Sequence, residues 1–254
     1  KVSRSEHDFH TLVRIFQESM TSHRKASNSN QWCPKPMVEV IKIDKVVNPW
    51  KQRFYEAAQD EVASRNPSGC GAVTGISAPK YHPPMGHVDL NEYFLFHGTN
   101  YVSIDQIIEH GLDPQRGGDS AGALFGIGTY FAENASKSDF YTTCDQCVAR
   151  PSADGKCHHP TGMRCMIVAQ VLLGKTYPVR TDMNRNRLRA HDREDGKGPY
   201  DSHTALKRAD GGCVDHMEFI IFKEQRALVR FLIFYKHKET CQCKDCLFRR
   251  GVMT

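Results

Sequence analysis

The chain has 254 residues, 39% of them hydrophobic and 25% charged, which is typical of a globular protein with one large domain, or one domain with a small appendage. It contains no apolar run of transmembrane length, so a membrane-spanning protein is not predicted. The formal net charge of +5 is small, and Lys and Arg are interleaved with Asp and Glu, which argues against a dedicated nucleic-acid-binding face.

The first part of the chain predicts an amphipathic helix, a linker, a strand and a second helix. Apolar residues recur at helical spacing over residues 6–24, and residues 26–36 are rich in Ser, Asn and Pro. Residues 37–47 alternate apolar and polar side chains, as a strand does, and a helix follows over residues 50–65. Because the chain begins without Met and without an apolar signal core, we expect it to be a piece of a longer protein.

The middle of the chain predicts a loop, a strand and a short helix. Residues 67–87 are rich in Gly, Pro and Ser, and residues 91–99 form an apolar strand that ends at His97-Gly98. A helix is predicted over residues 103–112, with Ser103 as N-cap and Gly111 as its C-terminal stop. Residues 116–123 then read as a mobile loop.

Three strands dominate the second half. Residues 165–174 are apolar on both faces, and MEFIIF and ALVRFLIFYKH near the end are two further strands. A strand over GTYFAE and a helix that begins within NASKSDFYTT precede them, and residues 180–212 are polar with little periodicity. Strands separated by helices and long loops, without a regular βαβ alternation, predict an α+β fold with antiparallel pairing.

The stretch FGIGTYFAENASKSDFY, residues 125–141, suggests a phosphate-binding loop but lacks its context. In a dinucleotide-binding fingerprint the glycines follow a strand and open a helix, whereas Gly126 and Gly128 lead into the apolar segment TYFAE. The simplest interpretation is a turn followed by a core Tyr130, with Ser136 and Ser138 capping a helix.

Taken together, LFHGT, FGIGTYFAENASKSDFY and MEFIIF resemble the catalytic domain of poly(ADP-ribose) polymerases, the diphtheria-toxin-like ADP-ribosyltransferases. The resemblance extends from about residue 37 to residue 237, and residues 37–58 are similar to the tankyrase type. It implies a fold of two mainly antiparallel sheets with flanking helices. It also implies a catalytic triad of His97, Tyr130 and Glu218.

The resemblance further implies that NAD is the substrate and that its nicotinamide end is held by the two special turns. Gly98 and Ser138 would hydrogen-bond the carboxamide, and Tyr141 would stack on the ring opposite the triad tyrosine. Thr99, with the triad histidine, would hold the adenosine ribose. The products would be nicotinamide and an ADP-ribosylated protein acceptor.

The triad glutamate carries two further implications of the resemblance. Lys137 would compensate the charge of Glu218, which otherwise reads as an exposed residue at a strand edge. Members with Glu at this position include those that elongate poly(ADP-ribose), so polymer formation is expected, with mono-ADP-ribosylation as the alternative.

Seven of the ten cysteines are clustered, which in a chain without a secretory signal indicates metal ligands or reduced thiols. We therefore expect an intracellular protein, nuclear or cytoplasmic. A structural zinc site is predicted in a Cys-rich insert at 144–165, similar to that of tankyrase-type domains, with reduced surface thiols as the alternative. Its expected ligands are Cys144, Cys147, Cys157 and Cys165, with His158 as a substitute. The last cysteines, Cys241, Cys243 and Cys246, are a separate half-site or bind nothing.

The predicted organisation is an N-terminal helix and linker (1–36), a catalytic domain (37–240) and a Cys-containing tail (241–254). Two other functions compete with an enzyme. A non-catalytic NAD- or ADP-ribose-binding domain is disfavoured by the intact triad. A zinc-stabilised nucleic-acid binder would use the arginines at 180, 185, 187 and 189, but acidic residues are interleaved with them.

Overall fold

The computed structural model describes residues 7–25, 29–76, 83, 86–119, 123–150, 157–159 and 161–251. Parts of the predicted loops at 67–87 and 116–123, and of the Cys-rich insert, lie outside these ranges. The helices are α1 (His7–Glu18), α2 (Pro49–Arg65), α3 (Ile104–His110), α4 (Ala135–Asp139), α5 (Gln146–Ala149) and α6 (Lys244–Arg249). The strands are β1 (His23–Arg24), β2 (Trp32–Cys33), β3 (Val38–Lys45), β4 (Glu92–Gly98), β5 (Thr129–Ala132), β6 (Arg164–Leu172), β7 (Thr176–Val179), β8 (Ser202–Ala205), β9 (Glu218–Ile221) and β10 (Ala227–His237).

Eight strands form one sheet in the order β3-β10-β6-β4-β5-β9-β8-β7, and β1 pairs with β2 in a separate two-stranded sheet. In the large sheet only the β7–β8 pair is parallel. The two predicted sheets correspond to two halves, β3-β10-β6-β4 and β5-β9-β8-β7, joined through the single residue pair Phe96 and Ala132. The α+β prediction with mainly antiparallel pairing is confirmed, although the two halves are continuous.

The core lies around the continuous apolar strands. All nine residues of β6 are buried, as its sequence predicts for a strand covered on both faces. Helix α1 packs on this core through Phe16, whose ring contacts those of Phe96 and Tyr235 at 6.0 and 4.9 Å between centroids. The N-terminal helix therefore shares the hydrophobic core of the sheet.

Sequence prediction placed most elements but missed the strands β1, β2, β7 and β8 and the short helices α5 and α6. Helix α1 ends at Glu18 instead of continuing to residue 24. Residues 23–24 form strand β1, which pairs with β2, and β2 lies inside the predicted linker. Strand β8 lies within the polar segment 180–212, where no strand was predicted. Within the described residues, no helix is both long enough and apolar enough to cross a membrane.

Candidate active site

A cavity of about 1210 Å³ opens where the two halves of the large sheet meet, at β4 and β5. This volume is large for a small-molecule site, which typically measures about 300–1,000 Å³. All eight residues predicted to bind NAD or act on it line the cavity: His97, Gly98, Thr99, Tyr130, Lys137, Ser138, Tyr141 and Glu218. The structure thus brings together side chains that are up to 121 positions apart in the chain (97 to 218). Their individual roles stay predictions.

Gly98, at the end of β4, allows strand and helix to touch. A Cβ atom at this position would lie 1.8 Å from the backbone oxygen of Ser138 in α4, far inside van der Waals contact. The Ser138 hydroxyl donates to the backbone oxygen of Phe96 at 2.9 Å and closes the same junction. The two special turns of the sequence therefore form one continuous wall.

His97 and Tyr130 are fixed to each other across the junction of β4 and β5. The Nδ1 atom of His97 lies 2.8 Å from the backbone oxygen of Tyr130, which requires a proton on Nδ1 and leaves Nε2 as an acceptor. Burial lowers the pKa of His97, so the ring is neutral at physiological pH. The hydroxyl of Tyr130 donates to the Gly126 oxygen at 2.8 Å and accepts from the Phe125 amide at 2.9 Å, which holds the ring in one orientation.

Glu218 enters β9 as a nearly buried carboxylate, 6% exposed. Lys137 of α4 places its Nζ atom 3.1 Å from a carboxylate oxygen of Glu218. Burial raises the pKa of Glu218, and Lys137 opposes that rise without cancelling it. The Lys137 ammonium also lies 5.7 Å from the ring centroid of Tyr141, so one lysine connects the buried acid with a partly exposed aromatic ring.

The sequence did not associate the C-terminal tail with this cavity. Lys244, Phe248 and Arg249 of α6 line it, together with Gln106 and Arg116. The Cys-x-Cys-x-x-Cys spacing at residues 241–246 signals a folded tail, but no pattern indicates where that tail packs. The tail therefore contributes basic and apolar groups to a cavity that the sequence analysis associates only with the two special turns.

Three of the predicted zinc ligands come together, and His159 completes the group. The Sγ atom of Cys144 lies 3.7 Å from that of Cys147 and 3.6 Å from that of Cys157, and 3.5 Å from Nδ1 of His159. Tetrahedral zinc, with Zn–S bonds of about 2.3 Å and Zn–N bonds of about 2.0 Å, sets sulfur atoms about 3.8 Å apart and sulfur and nitrogen about 3.5 Å apart. These four residues, the insert cluster, fit zinc.

The structure does not place Cys165 in the insert cluster. Arg164 pairs with Cys144 in an isolated β-bridge, and successive residues of a strand point to opposite faces, so the next side chain is directed away from the cluster. Cys165 lies in the hydrophobic core instead, where burial raises the pKa of its thiol to about 12. His158, the predicted substitute, is exposed, and its neighbour His159 takes the fourth position.

Arginines of the polar segment bond within the protein. Arg189 forms two hydrogen bonds to Asp192, at 2.5 and 2.9 Å, and Arg187 lies 3.4 Å from Asp182. Arg180 donates to the backbone oxygen of Asp210. These pairings disfavour the nucleic-acid-binding alternative.

The site is that of an ADP-ribosyltransferase domain, with a His-Tyr-Glu set around one cavity between antiparallel half-sheets. Residues 8–237 match the family described as poly(ADP-ribose) polymerase catalytic domain, and the chain belongs to that family. The predicted resemblance is confirmed.

Two relatives illustrate the range of the family. The chain is 28% identical, over an alignment of 190 positions that covers 63% of this chain, to a Caenorhabditis elegans protein named poly [ADP-ribose] polymerase tankyrase. It is 29% identical over 147 residues, 58% of its length, to the Homo sapiens protein mono-ADP-ribosyltransferase PARP14. The matched stretches are 8% and 7% of those relatives' own lengths, and the two names differ in the product.

Proposed function

We propose that this chain is an NAD-dependent ADP-ribosyltransferase that modifies protein side chains and releases nicotinamide. The observation that carries the proposal is the convergence of all eight predicted NAD-site residues on one cavity. Membership of the poly(ADP-ribose) polymerase family and the names of both relatives support it.

The nicotinamide end of NAD is held at the junction of β4 and α4. The Gly98 backbone offers its N–H and C=O to the carboxamide. Because the Ser138 proton is donated to Phe96, the hydroxyl oxygen of Ser138 is left to accept from the carboxamide N–H. Tyr130 and Tyr141 stack on the two faces of the ring, and flat side chains do this with little loss of conformational freedom.

The reaction breaks the bond between ribose C1′ and the nicotinamide nitrogen. The bonding electrons leave with nicotinamide and neutralise its positive ring, while the ribose gains oxocarbenium character. The Glu218 carboxylate stabilises that charge, and an acceptor oxygen bonds to C1′ while any proton on it passes to water. Positioning and electrostatics supply the rate, so Glu218 must be ionised.

We further propose that the product is poly(ADP-ribose), because family members with Glu at this position include those that elongate the polymer. Lys137, 3.1 Å from the Glu218 carboxylate, favours its ionised form. Mono-ADP-ribosylation is the second candidate, favoured by the similarity to PARP14.

Labelled NAD tests both proposals with wild type and Glu218→Gln. We expect nicotinamide release and long polymer from wild type, and about a 10²–10³-fold loss of transfer in the variant. Glu133→Gln is the matched control, because Glu133 is equally buried but pairs with Lys207 and does not line the cavity. No transfer by folded wild type would reject the enzyme and favour a non-catalytic NAD-binding domain. Single ADP-ribose units alone would favour the mono-transferase.

We also propose that the insert cluster holds a structural zinc ion. The support is its four ligand atoms at tetrahedral separations. Zinc there would fix the segment after α4 and takes no part in the NAD chemistry. Elemental analysis of Cys144→Ser/Cys147→Ser should show one zinc ion fewer than wild type, and an unchanged zinc content would reject the site.

A further inference from the structure

A second group of ligands lies at the end of β10. His237 is its last residue, and the chain turns back so that Cys241, Cys243 and Cys246 surround the imidazole. We refer to these four residues as the tail cluster. Nδ1 of His237 lies 3.0 Å from the sulfur of Cys246 and 3.6 Å from each of the other two sulfurs. Zinc sets such atoms about 3.5 Å apart.

The surroundings of the tail cluster suit thiolates. All four residues are at most 2% exposed. The Met37 amide donates to the sulfur of Cys241 at 3.3 Å, and the Cys246 amide donates to that of Cys243 at 3.5 Å. Buried thiolates without a compensating cation would be costly, whereas a divalent cation among them offsets their charge.

The second nitrogen of His237 is held as in known zinc sites. Its Nε2 atom lies 3.0 Å from a carboxylate oxygen of Asp139 and also 3.0 Å from Nη1 of Arg164. When Nδ1 binds a metal, the ring proton is on Nε2 and is donated to Asp139, while the Arg164 guanidinium donates to the carboxylates of Asp139 and Asp245. Asp139, His237 and Asp245 also lie close together, but the Arg164 guanidinium already occupies that position, 2.8 Å from Asp139 and 2.7 Å from Asp245. The cysteine side of His237 is therefore the metal side.

We propose that the tail cluster is a second, structural zinc site with three Cys ligands and one His. Its three cysteines lie beyond residue 237, where the family match ends, so the site is an addition to the matched domain. Through His237 and Asp139 the zinc is one hydrogen bond away from α4, the helix that carries Ser138. The site anchors the tail against one wall of the NAD cavity.

Zinc stoichiometry tests the proposal on the full chain, purified and reconstituted under reducing conditions. We expect two zinc ions in wild type, one in Cys243→Ser/Cys246→Ser, one in Cys144→Ser/Cys147→Ser and none in the fourfold variant. Cys213→Ser is the control, since Cys213 belongs to neither cluster, and should keep two. A tail variant that keeps the wild-type zinc content would overturn the proposal.

If the tail variant does not fold, the insert variant Cys144→Ser/Cys147→Ser decides the matter. A zinc ion that stays with the folded insert variant supports the proposal, and a folded insert variant without zinc would overturn it. Cobalt in place of zinc reports histidine ligation, because a metal-bound imidazole keeps one exchangeable ring N–H that gives a paramagnetically shifted proton signal. With both sites filled we expect two such signals, from His159 and His237. Loss of one of them on Cys243→Ser/Cys246→Ser supports the tail site, and no such signal from cobalt-loaded Cys144→Ser/Cys147→Ser contradicts it.

Discussion

At Gly98 the missing side chain is what lets β4 and α4 meet. A methyl group there would lie 1.8 Å from the Ser138 backbone oxygen, and neither backbone can move without opening the sheet junction. We expect Gly98→Ala to lower the free energy of unfolding by about 3 kcal/mol, the upper end of the usual cost of overpacking. The affinity for NAD should also fall, because the close contact forms part of the proposed nicotinamide site. Urea denaturation and NAD calorimetry measure the two effects.

Gly71 supplies the control for this substitution. Nothing lies within 4 Å of a Cβ atom built there, but its φ of +73° is strained for other residues. Gly71→Ala should therefore cost about 1–2 kcal/mol through the backbone alone and leave NAD affinity unchanged. Equal effects of the two substitutions on NAD affinity would contradict the close-contact argument.

In the proposed mechanism, the Glu218–Lys137 pair sets the acidic limit of activity. Burial raises the pKa of Glu218, so protonation and loss of activity begin at a higher pH than for an ordinary glutamate. Lys137→Met removes the charge that opposes this rise, and we expect the acidic limb of kcat to move further up in pH. The pH profile of nicotinamide release measures the limb.

Lys207→Met is the matched control, because Lys207 pairs with Glu133, 3.3 Å away. It should leave the limb in place. A limb that moves to lower pH in Lys137→Met would show that Glu218 is not the group that titrates.

Helix α1 is part of the hydrophobic core of the domain. Phe16 is fully buried between the rings of Phe96 on β4 and Tyr235 on β10. We expect Phe16→Ala to cost about 3–5 kcal/mol, the usual range for deleting a buried aromatic ring. Chemical denaturation followed by circular dichroism measures the change.

Phe54→Ala in α2 is the matched control, because it truncates a phenylalanine of another helix. Phe54 is 45% exposed, so its truncation should cost far less. A cost for Phe16→Ala no larger than for Phe54→Ala would mean that α1 is a detachable appendage, as the predicted boundary at residue 36 suggests.

Hydrophobic patterning explains which elements could be predicted. Strands β4, β6 and β10 were identified because burial on both faces demands continuous apolar runs. Strand β8 was missed because its sequence, Ser-His-Thr-Ala, is polar although all four residues are buried, with Thr204 bonded to Thr176 at 2.8 Å. Its burial depends on β7 and β9, which local sequence does not show.

For the whole molecule, the family motifs predicted eight residues that line one cavity, whereas the resemblance and the residue spacing of the Cys-rich insert predicted three of the four residues of the insert cluster. The choice of His159 over Cys165 depends on the bridge between Cys144 and Arg164, a contact across 20 residues. His237 was likewise not associated with the tail cysteines, because a strand residue becomes their neighbour only once the tail folds back. Long-range geometry determines both assignments.

Arg249 of α6 links the tail to the insert cluster and to the segment after α4 by hydrogen bonds. Its guanidinium donates to the backbone oxygens of Cys157 in the insert cluster and Thr142 after α4, and to Asp245 in its own helix. Each hydrogen bond that involves a charged group contributes about 1.5–3 kcal/mol to the stability of the folded protein. The contributions of its three hydrogen bonds do not add in full, and removing one partner of a buried ion pair costs about 3–5 kcal/mol. We expect Arg249→Met to lower the free energy of unfolding by that amount and to speed the release of the zinc ion proposed for the insert cluster.

Arg250→Met isolates that effect, because Arg250 is the exposed neighbour and its side chain donates only to the Glu239 backbone among the bonds seen in the described part of the chain. Urea denaturation gives the stability of each variant, and a zinc-binding dye follows metal release after dilution into chelator. If the clusters are independent, both variants release zinc at the wild-type rate. If α6 connects them, only Arg249→Met accelerates release, because Cys157 then loses the hydrogen bond that fixes its backbone.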